Sequence, residues 1–217
     1  MERIETISGY ALRLPDGVFP LTRESLLLGD FAGVTPRARV CDLGSGSGVL
    51  PLLLLAREGS LAVTAVELDP FAAGVCTRNL ADNGFAADVV CGDLRDRSLL
   101  RAGSFDLVVS NPPWYPLGSG TSGGSERSEE TCTLDEVCAA AARLLRNGGH
   151  FSLVHRPERL ADLITALRAH GLEPKTFRLC HHSPDARPFC VLLDAVRQGR
   201  PGLTVLPPFL GEERSSP

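Results

Sequence analysis

Four short apolar runs in this chain each end on a distinctive polar cluster, and helical segments lie between them. The first run, Ala38 to Leu43, ends in Asp42-Leu43-Gly44-Ser45-Gly46-Ser47-Gly48. The second, Ala62 to Val66, ends in Glu67. The third, Asp88 to Cys91, ends in Gly92-Asp93. The fourth belongs to the stretch Phe105 to Pro116, where Leu107, Val108 and Val109 lead to Ser110 and then to Asn111-Pro112-Pro113-Trp114. A helical pattern runs from Val49 through a leucine run to Arg57, and another from Pro70 through Asn79 and Leu80 to a stop at Asn83-Gly84. Short buried strands alternating with crossover-length helices specify a parallel, doubly wound sheet covered on both faces. The expected architecture is therefore α/β, with a mostly parallel seven-stranded sheet whose last strand is antiparallel.

The flanking segments complete that outline. Residues 10–20 read as two short strands around Pro15-Asp16-Gly17. Thr22 is placed to N-cap a helix that Gly33 ends. After the fourth strand, Gly118 to Glu130 contains no large apolar residue and reads as a mobile loop. A helix is expected from Thr133 to Arg146, ended by Asn147-Gly148-Gly149, then a strand from His150 to His155. Arg156-Pro157-Glu158 opens a helix that stops at Gly171. Strands Thr176 to Cys180 and Phe189 to Val196 come next, close enough in sequence to be antiparallel. The expected organisation is an N-terminal hairpin and helix over the ligand site (1–36), the main domain (37–210) and a frayed tail (211–217).

Composition narrows the chemistry. Net charge is -4 and the pI about 5.7, so any nucleic-acid contact must come from a local basic patch. Seven scattered cysteines with no Cys-x-x-Cys pair point to a reducing, cytoplasmic compartment and to no zinc site. No apolar run is long enough to cross a bilayer, and the N-terminus has no signal-peptide core. The histidines lack ligand spacing, and His155, His181 and His182 read as surface or loop residues.

The strand ends carry the chemistry, because ligands of open α/β sheets sit at the carboxyl ends of strands. The glycines after Asp42 let a backbone approach a ligand closely. A dinucleotide loop would have Gly-x-Gly-x-x-Gly, whereas Gly44, Gly46 and Gly48 alternate and Val49 stands where the third glycine would fall. Glu67, ending the second strand, can hold both hydroxyls of a ribose. At Asn111-Pro112-Pro113 two prolines halt the backbone abruptly. The Asn111 amide oxygen and the Pro112 carbonyl form a pair of acceptors suited to an –NH2 group, and Trp114 offers a face for a planar ring.

Taken in order, Asp42-x-Gly44-x-Gly46-x-Gly48, Val66-Glu67-Leu68-Asp69, Gly92-Asp93-Leu94 and Asn111-Pro112-Pro113-Trp114 resemble the class I S-adenosylmethionine-dependent methyltransferases that act on planar nitrogens. The resemblance assigns Gly44 and Gly46 to the amino-acid end of S-adenosylmethionine, Glu67 to its ribose and Asp93 with Leu94 to its adenine. It implies in-line transfer onto a nitrogen held by Asn111 and Pro112, with no metal. A narrower likeness covers nearly the whole chain. Phe19-x-Leu-Thr-Arg-Glu-Ser-Leu-Leu-Leu28, the stretch Leu153 to Leu160 and the segment Arg200 to Pro208 resemble the bacterial tRNA adenine N6-methyltransferases. That implies an exocyclic adenine amine in tRNA as acceptor, with Arg156, Arg159 and Arg200 as substrate contacts in a patch with Lys175, Arg178 and Arg197. The acidic residues Glu126, Glu129 and Glu130 depart from the family's basic loop. A protein glutamine methyltransferase is the runner-up, disfavoured because only some forty residues precede the glycine loop. A non-catalytic cofactor-binding scaffold is the third reading.

Overall fold

A computed structural model describes residues 2–112 and 132–211. Pro113, Trp114, the Gly/Ser-rich loop and the tail beyond Gly211 lie outside the described residues.

The chain opens with a hairpin of β1 (Glu2–Ile7) and β2 (Tyr10–Pro15). Its turn is Ser8-Gly9; the expected turn at Pro15-Asp16-Gly17 is also present, with Val18 N–H donating to the Pro15 carbonyl at 3.3 Å, but it follows β2 and leads to α1 with no strand between. Ser8 and Gly9 both have positive φ, 51° and 87°, and Ile7 pairs with Tyr10. This two-residue turn suits the twist of paired strands. The polar alternation of ERIETI concealed β1, which has only Ile7 buried. Next comes α1 (Arg23–Phe31), N-capped by Thr22 as expected, with the Thr22 side chain accepting from the Ser25 backbone N–H.

The main sheet then builds as β3 (Arg39–Leu43), α2 (Val49–Arg57), β4 (Ala62–Glu67), α3 (Pro70–Asp82), β5 (Asp88–Cys91) and β6 (Phe105–Ser110). After the loop come α4 (Leu134–Leu144), β7 (Leu145–His155), a 3-10 turn at Pro157–Arg159, α5 (Leu160–Ala169), β8 (Leu172–His181) and β9 (Pro188–Arg197). A complete capping box starts α4, with Thr133 and Glu136 bonding each other's backbone N–H. Asn147-Gly148-Gly149 does not end that helix. Leu145 is already extended, and β7 runs through the glycines. The expected seven strands are present, in the order β8-β9-β7-β6-β3-β4-β5, and β9 is antiparallel to both neighbours. Two further strands, β10 (Thr204–Val205) and β11 (Phe209–Leu210), pair in parallel with β8, so the described residues give the sheet nine strands. Each is two residues long, too short to read as a strand among the surrounding prolines.

One core lies on each face. The hairpin, α1, α2 and α3 pack Leu12, Leu28, Leu52 and Leu54 against Val40, Leu107 and Val109. On the opposite face α4 and α5 pack Val137, Leu144, Leu163 and Leu167 against Val108, Phe151 and Leu153. Successive residues of β6 thus serve opposite cores, as the two-residue period of a strand requires. No described helix is long and apolar enough to cross a membrane.

This order places the site. From β3 the chain moves outward through β4 and β5, then jumps back to β6 on the other side of β3. The loops leaving β3 and β6 therefore diverge, and a crevice opens between them.

Candidate active site

A cavity of about 480 Å³ fills that crevice, within the range of small-ligand sites. Its floor is the carboxyl ends of β3 to β6, and residues from the segment after the hairpin (17–20 and 22) and the first turn of α1 (24 and 25) form the opposite wall. Asp42, Gly44, Gly46, Glu67, Asp93, Leu94, Asn111 and Pro112 all line it. Thus the markers of four strands, spread over some seventy residues of sequence, share one space.

The glycine loop is held from the second strand. The backbone N–H groups of Gly44 and Ser45 donate to the Val66 carbonyl at 2.9 and 3.0 Å. Gly46 N–H donates to Glu67 Oε2 at 2.7 Å, and Asp69 N–H donates to Oε1 at 2.9 Å. The Glu67 carboxylate is thereby aimed before any ligand arrives. Gly44 has φ of 78°, and a Cβ there would meet nothing within 4 Å. The space in front of it belongs to the cavity. Gly48 differs from its neighbours. A Cβ on it would lie 2.8 Å from Cys76 Sγ, so this glycine lets α2 pack on α3. It does not line the cavity.

Asp42 is fully buried, and neither carboxylate oxygen has a hydrogen-bond partner among the described residues. Burial pushes its pKa well above the carboxylate range, and the nearby Glu67 charge adds to the effect. A buried carboxylate of this kind needs a cationic partner, so the cavity floor suits an ammonium group. The apolar Val66, Leu68 and Leu94 line the same cavity beside Asp93 and suit a planar ring system. The donor set therefore fits S-adenosylmethionine: a carboxylate for the ammonium, a carboxylate for the ribose and an apolar slot for the base.

Asp93 brings an interaction that its own motif did not disclose. Its carboxylate accepts from Arg95 Nε at 2.9 Å and from the terminal nitrogen at 2.6 Å, and this lowers the Asp93 pKa. Arg95 also approaches Glu136 on α4 at 3.5 Å. The pairing ties the loop after β5 to the start of α4.

At the end of β6, Ser110 Oγ donates to the Leu43 carbonyl at 2.8 Å and locks the two strand ends together. Asn111 comes next, and its Nδ2 donates to Ser25 Oγ at 3.0 Å. Phe19, Thr22, Glu24 and Ser25 all line the cavity. The expected site omitted all four, although the run from Phe19 to Leu28 stood out in the sequence. Another residue without a forecast role is Asn79 of α3, which is fully buried. Its Nδ2 donates to the carbonyls of Ser47 and Arg13, and its Oδ1 accepts from Arg13 N–H. One side chain thereby stitches β2 to the glycine loop.

The expected basic patch does not hold together. Arg156 and Arg159 come after β7 at the cavity end of the sheet, where they approach Glu158 at 3.4 Å and Asp162 at 3.3 Å. Arg200 comes after β9, which runs the opposite way, so it lies at the far end beside Lys175, whose Nζ donates to the Arg200 carbonyl. Arg197 bonds the Leu145 carbonyl at that same far end. His155 is also not a surface residue. It is fully buried, its Nδ1 accepts from Arg156 N–H at 2.9 Å, and burial pushes its pKa down to about 4. Among the described residues, no three His, Cys, Asp or Glu side chains are placed to hold a metal.

Known proteins resemble this chain in sequence and in fold. A tRNA1(Val) (adenine(37)-N6)-methyltransferase of Porphyromonas gingivalis is 33% identical over 152 residues, covering 64% of this chain and 60% of that protein. The enzyme of the same name from an Enterobacter species is 36% identical over 138 residues, covering 60% and 56%. The chain thus spans less than two thirds of the length of these curated relatives. Among solved structures, a predicted O-methyltransferase from Agrobacterium tumefaciens superposes with a TM-score of 0.72 at 24% identity, covering 89% of each chain. A 16S rRNA N2 G1207 methyltransferase of T. thermophilus, in complex with AdoMet and guanosine, superposes with a TM-score of 0.66 at 25% identity. It covers 91% of this chain, which covers 50% of it. A family model described as the methyltransferase small domain matches residues 24–168. That match takes in every cavity-lining strand end and most of the 217 residues, and the chain belongs to the methyltransferase small domain family.

Proposed function

We propose that this chain is an S-adenosylmethionine-dependent N-methyltransferase whose acceptor is the exocyclic amine of an adenine in tRNA. One observation carries the reading: a buried carboxylate with no partner among the described residues, Asp42, shares a single cavity with Asn111 and Pro112. An ammonium-bearing methyl donor and an amine acceptor could meet there. The names of the curated relatives support an adenine in tRNA as the acceptor.

When bound, S-adenosylmethionine supplies a methyl group already activated on a sulfonium centre, so the protein's task is positioning. Asp42 neutralises the ammonium of its amino-acid end, with Gly44 and Gly46 yielding room. Glu67 accepts from the ribose hydroxyls with the lone pairs left by its two backbone bonds. Asp93 and Leu94 border the adenine. On the acceptor side, the Asn111 amide oxygen and the Pro112 carbonyl accept the two N–H bonds of the target amine. That favours a lone pair localised on nitrogen over one delocalised into the ring. Trp114 stacks on the acceptor base. The amine becomes more acidic as it is alkylated, and its proton can leave to water without a strong base. Residues 1–36 cover the site, residues 37–210 form the catalytic domain, and the RNA substrate implies a cytoplasmic enzyme.

The test is product analysis. The protein is incubated with labelled S-adenosylmethionine and, in parallel, an unmodified valine tRNA transcript, 16S rRNA and a panel of translation proteins. Labelled N6-methyladenosine in the tRNA digest is the expected result. Label on guanosine would indicate the chemistry of the rRNA enzyme, label on glutamine the protein-modifying reading, and no label at all would overturn the activity.

A further inference from the structure

Among the described residues, two contacts constrain Asn111, one from its neighbour in the chain and one from across the cavity. Its backbone is held by Pro112, because a residue before proline is driven into extended conformations. Its amide is held from across the cavity, where Nδ2 donates to Ser25 Oγ at 3.0 Å. Ser25 is itself fixed. It is 5 % exposed, its N–H donates to Thr22 Oγ1, and its hydroxyl lies 3.2 Å from that same oxygen. Either hydroxyl can donate in the Thr22–Ser25 pair, and when Ser25 donates to Thr22 Oγ1 its oxygen is left to accept from Asn111 Nδ2. Alanine would serve this helix position better on propensity and would bury no hydroxyl. The serine is explained by the amide it receives.

We propose that Ser25 is a positioning residue for Asn111: it fixes which limb of the amide is nitrogen and so presents Oδ1 as the acceptor for the target amine. This rests on the acceptor role proposed above for Asn111. Without the bond the amide loses one restraint on its last side-chain torsion, which is broad and nearly two-fold. The wrong limb would then offer a donor to an –NH2 group that needs an acceptor. Because the bond joins α1 to the end of β6, it also makes the N-terminal segment part of the acceptor site.

The experiment is a mutant cycle on the full chain, with labelled S-adenosylmethionine and the unmodified valine tRNA transcript. Ser25→Ala should lower kcat by on the order of tenfold to a hundredfold, the scale of a misplaced reacting group. The Kd for the methyl donor, read by calorimetry, should stay unchanged. Ser25→Thr, which keeps the hydroxyl, should restore most of the rate. In an Asn111→Ala background, adding Ser25→Ala should cause no further loss. Full turnover by Ser25→Ala, or equal fold losses in both backgrounds, would overturn the inference. If Asn111→Ala itself turned over like the wild type, the acceptor-site reading would fall first, and the two failures are thereby distinguished.

Discussion

At the residue scale, the proposed function gives two side chains separable roles, cofactor binding to Glu67 and acceptor positioning to Asn111. Glu67 uses one lone pair of each oxygen on the backbone of Gly46 and Asp69, so it both aims the glycine loop and lines the cavity. Glu67→Ala should weaken S-adenosylmethionine binding by roughly 1.5–3 kcal/mol for each charge-assisted bond lost. Calorimetry checks this, and tighter binding of NAD than of the methyl donor to the wild type would contradict the cofactor assignment. Asn111 follows the end of β6 in the same cavity. Asn111→Ala should leave that affinity nearly intact and cut turnover by on the order of a hundredfold or more, as when one preorganised transition-state bond is removed. A single-turnover assay beside the binding measurement separates the two effects.

At the scale of elements, the alternating glycines do different jobs. Gly44 leaves room for a ligand, whereas Gly48 leaves room for α3. Gly48 also has φ of 87° at the N-cap of α2. Gly48→Ala should therefore act on stability, through a left-handed alanine and a clash with Cys76, at a cost of about 1–3 kcal/mol. Thermal unfolding should show a Tm lower by several degrees. The methyl donor's Kd, measured well below that Tm, should change far less than in the Glu67 variant. Equal loss of affinity in both would return Gly48 to the cofactor site. The hairpin shows a related division, since Asn79 and Asn83 of the α3 end bond its backbone at Arg13 and Ala11. Its attachment is a matter of side-chain amides as well as apolar packing.

At the scale of the whole molecule, charge and pH have separable signatures. Arg156 and Arg159 lie at the cavity end of the sheet and Arg200 at the other. Arg156→Ala and Arg159→Ala should each weaken tRNA binding and make its salt dependence shallower by about 0.7 in log–log slope. Arg200→Ala should alter neither. Anisotropy titrations at several salt concentrations decide it, and a matching effect from Arg200 would mean that the RNA wraps both ends. The pH signature comes from His155, whose folded value of about 4 lies below its ordinary value of 6.5. Its folded state favours the neutral ring, so its stabilising contribution is complete above about 6.5 and is lost as pH falls towards 4. At about 1.4 kcal/mol per tenfold change, that is roughly 3 kcal/mol. His155→Gln should flatten the fall in Tm over that pH range, and parallel curves for the two proteins would contradict it.

Residues read one after another disclosed whatever local chemistry enforces. Apolar runs with a two-residue period, the Thr22 cap, Pro70 at a helix start and the prolines after Asn111 act on their own neighbours, and the α/β alternation with its four marked strand ends came from them. The seven central strands, the bounds of α2 and the gathering of Asp42, Glu67, Asp93 and Asn111 agree with that reading, because the carboxyl ends of parallel strands all face one way. Other features were decided only by packing across the chain. Arg200 left the patch because β9, expected to be antiparallel, carries it to the end of the sheet away from the cavity, a placement that the charge pattern alone does not encode. His155 was buried by β9 and the segment after β7, and Gly48 was claimed by a cysteine 28 positions away. Ser25 met Asn111 across 86 residues. A hydroxyl in the first turn of a helix looks the same in sequence whether it faces water or an amide; only the fold supplies the partner.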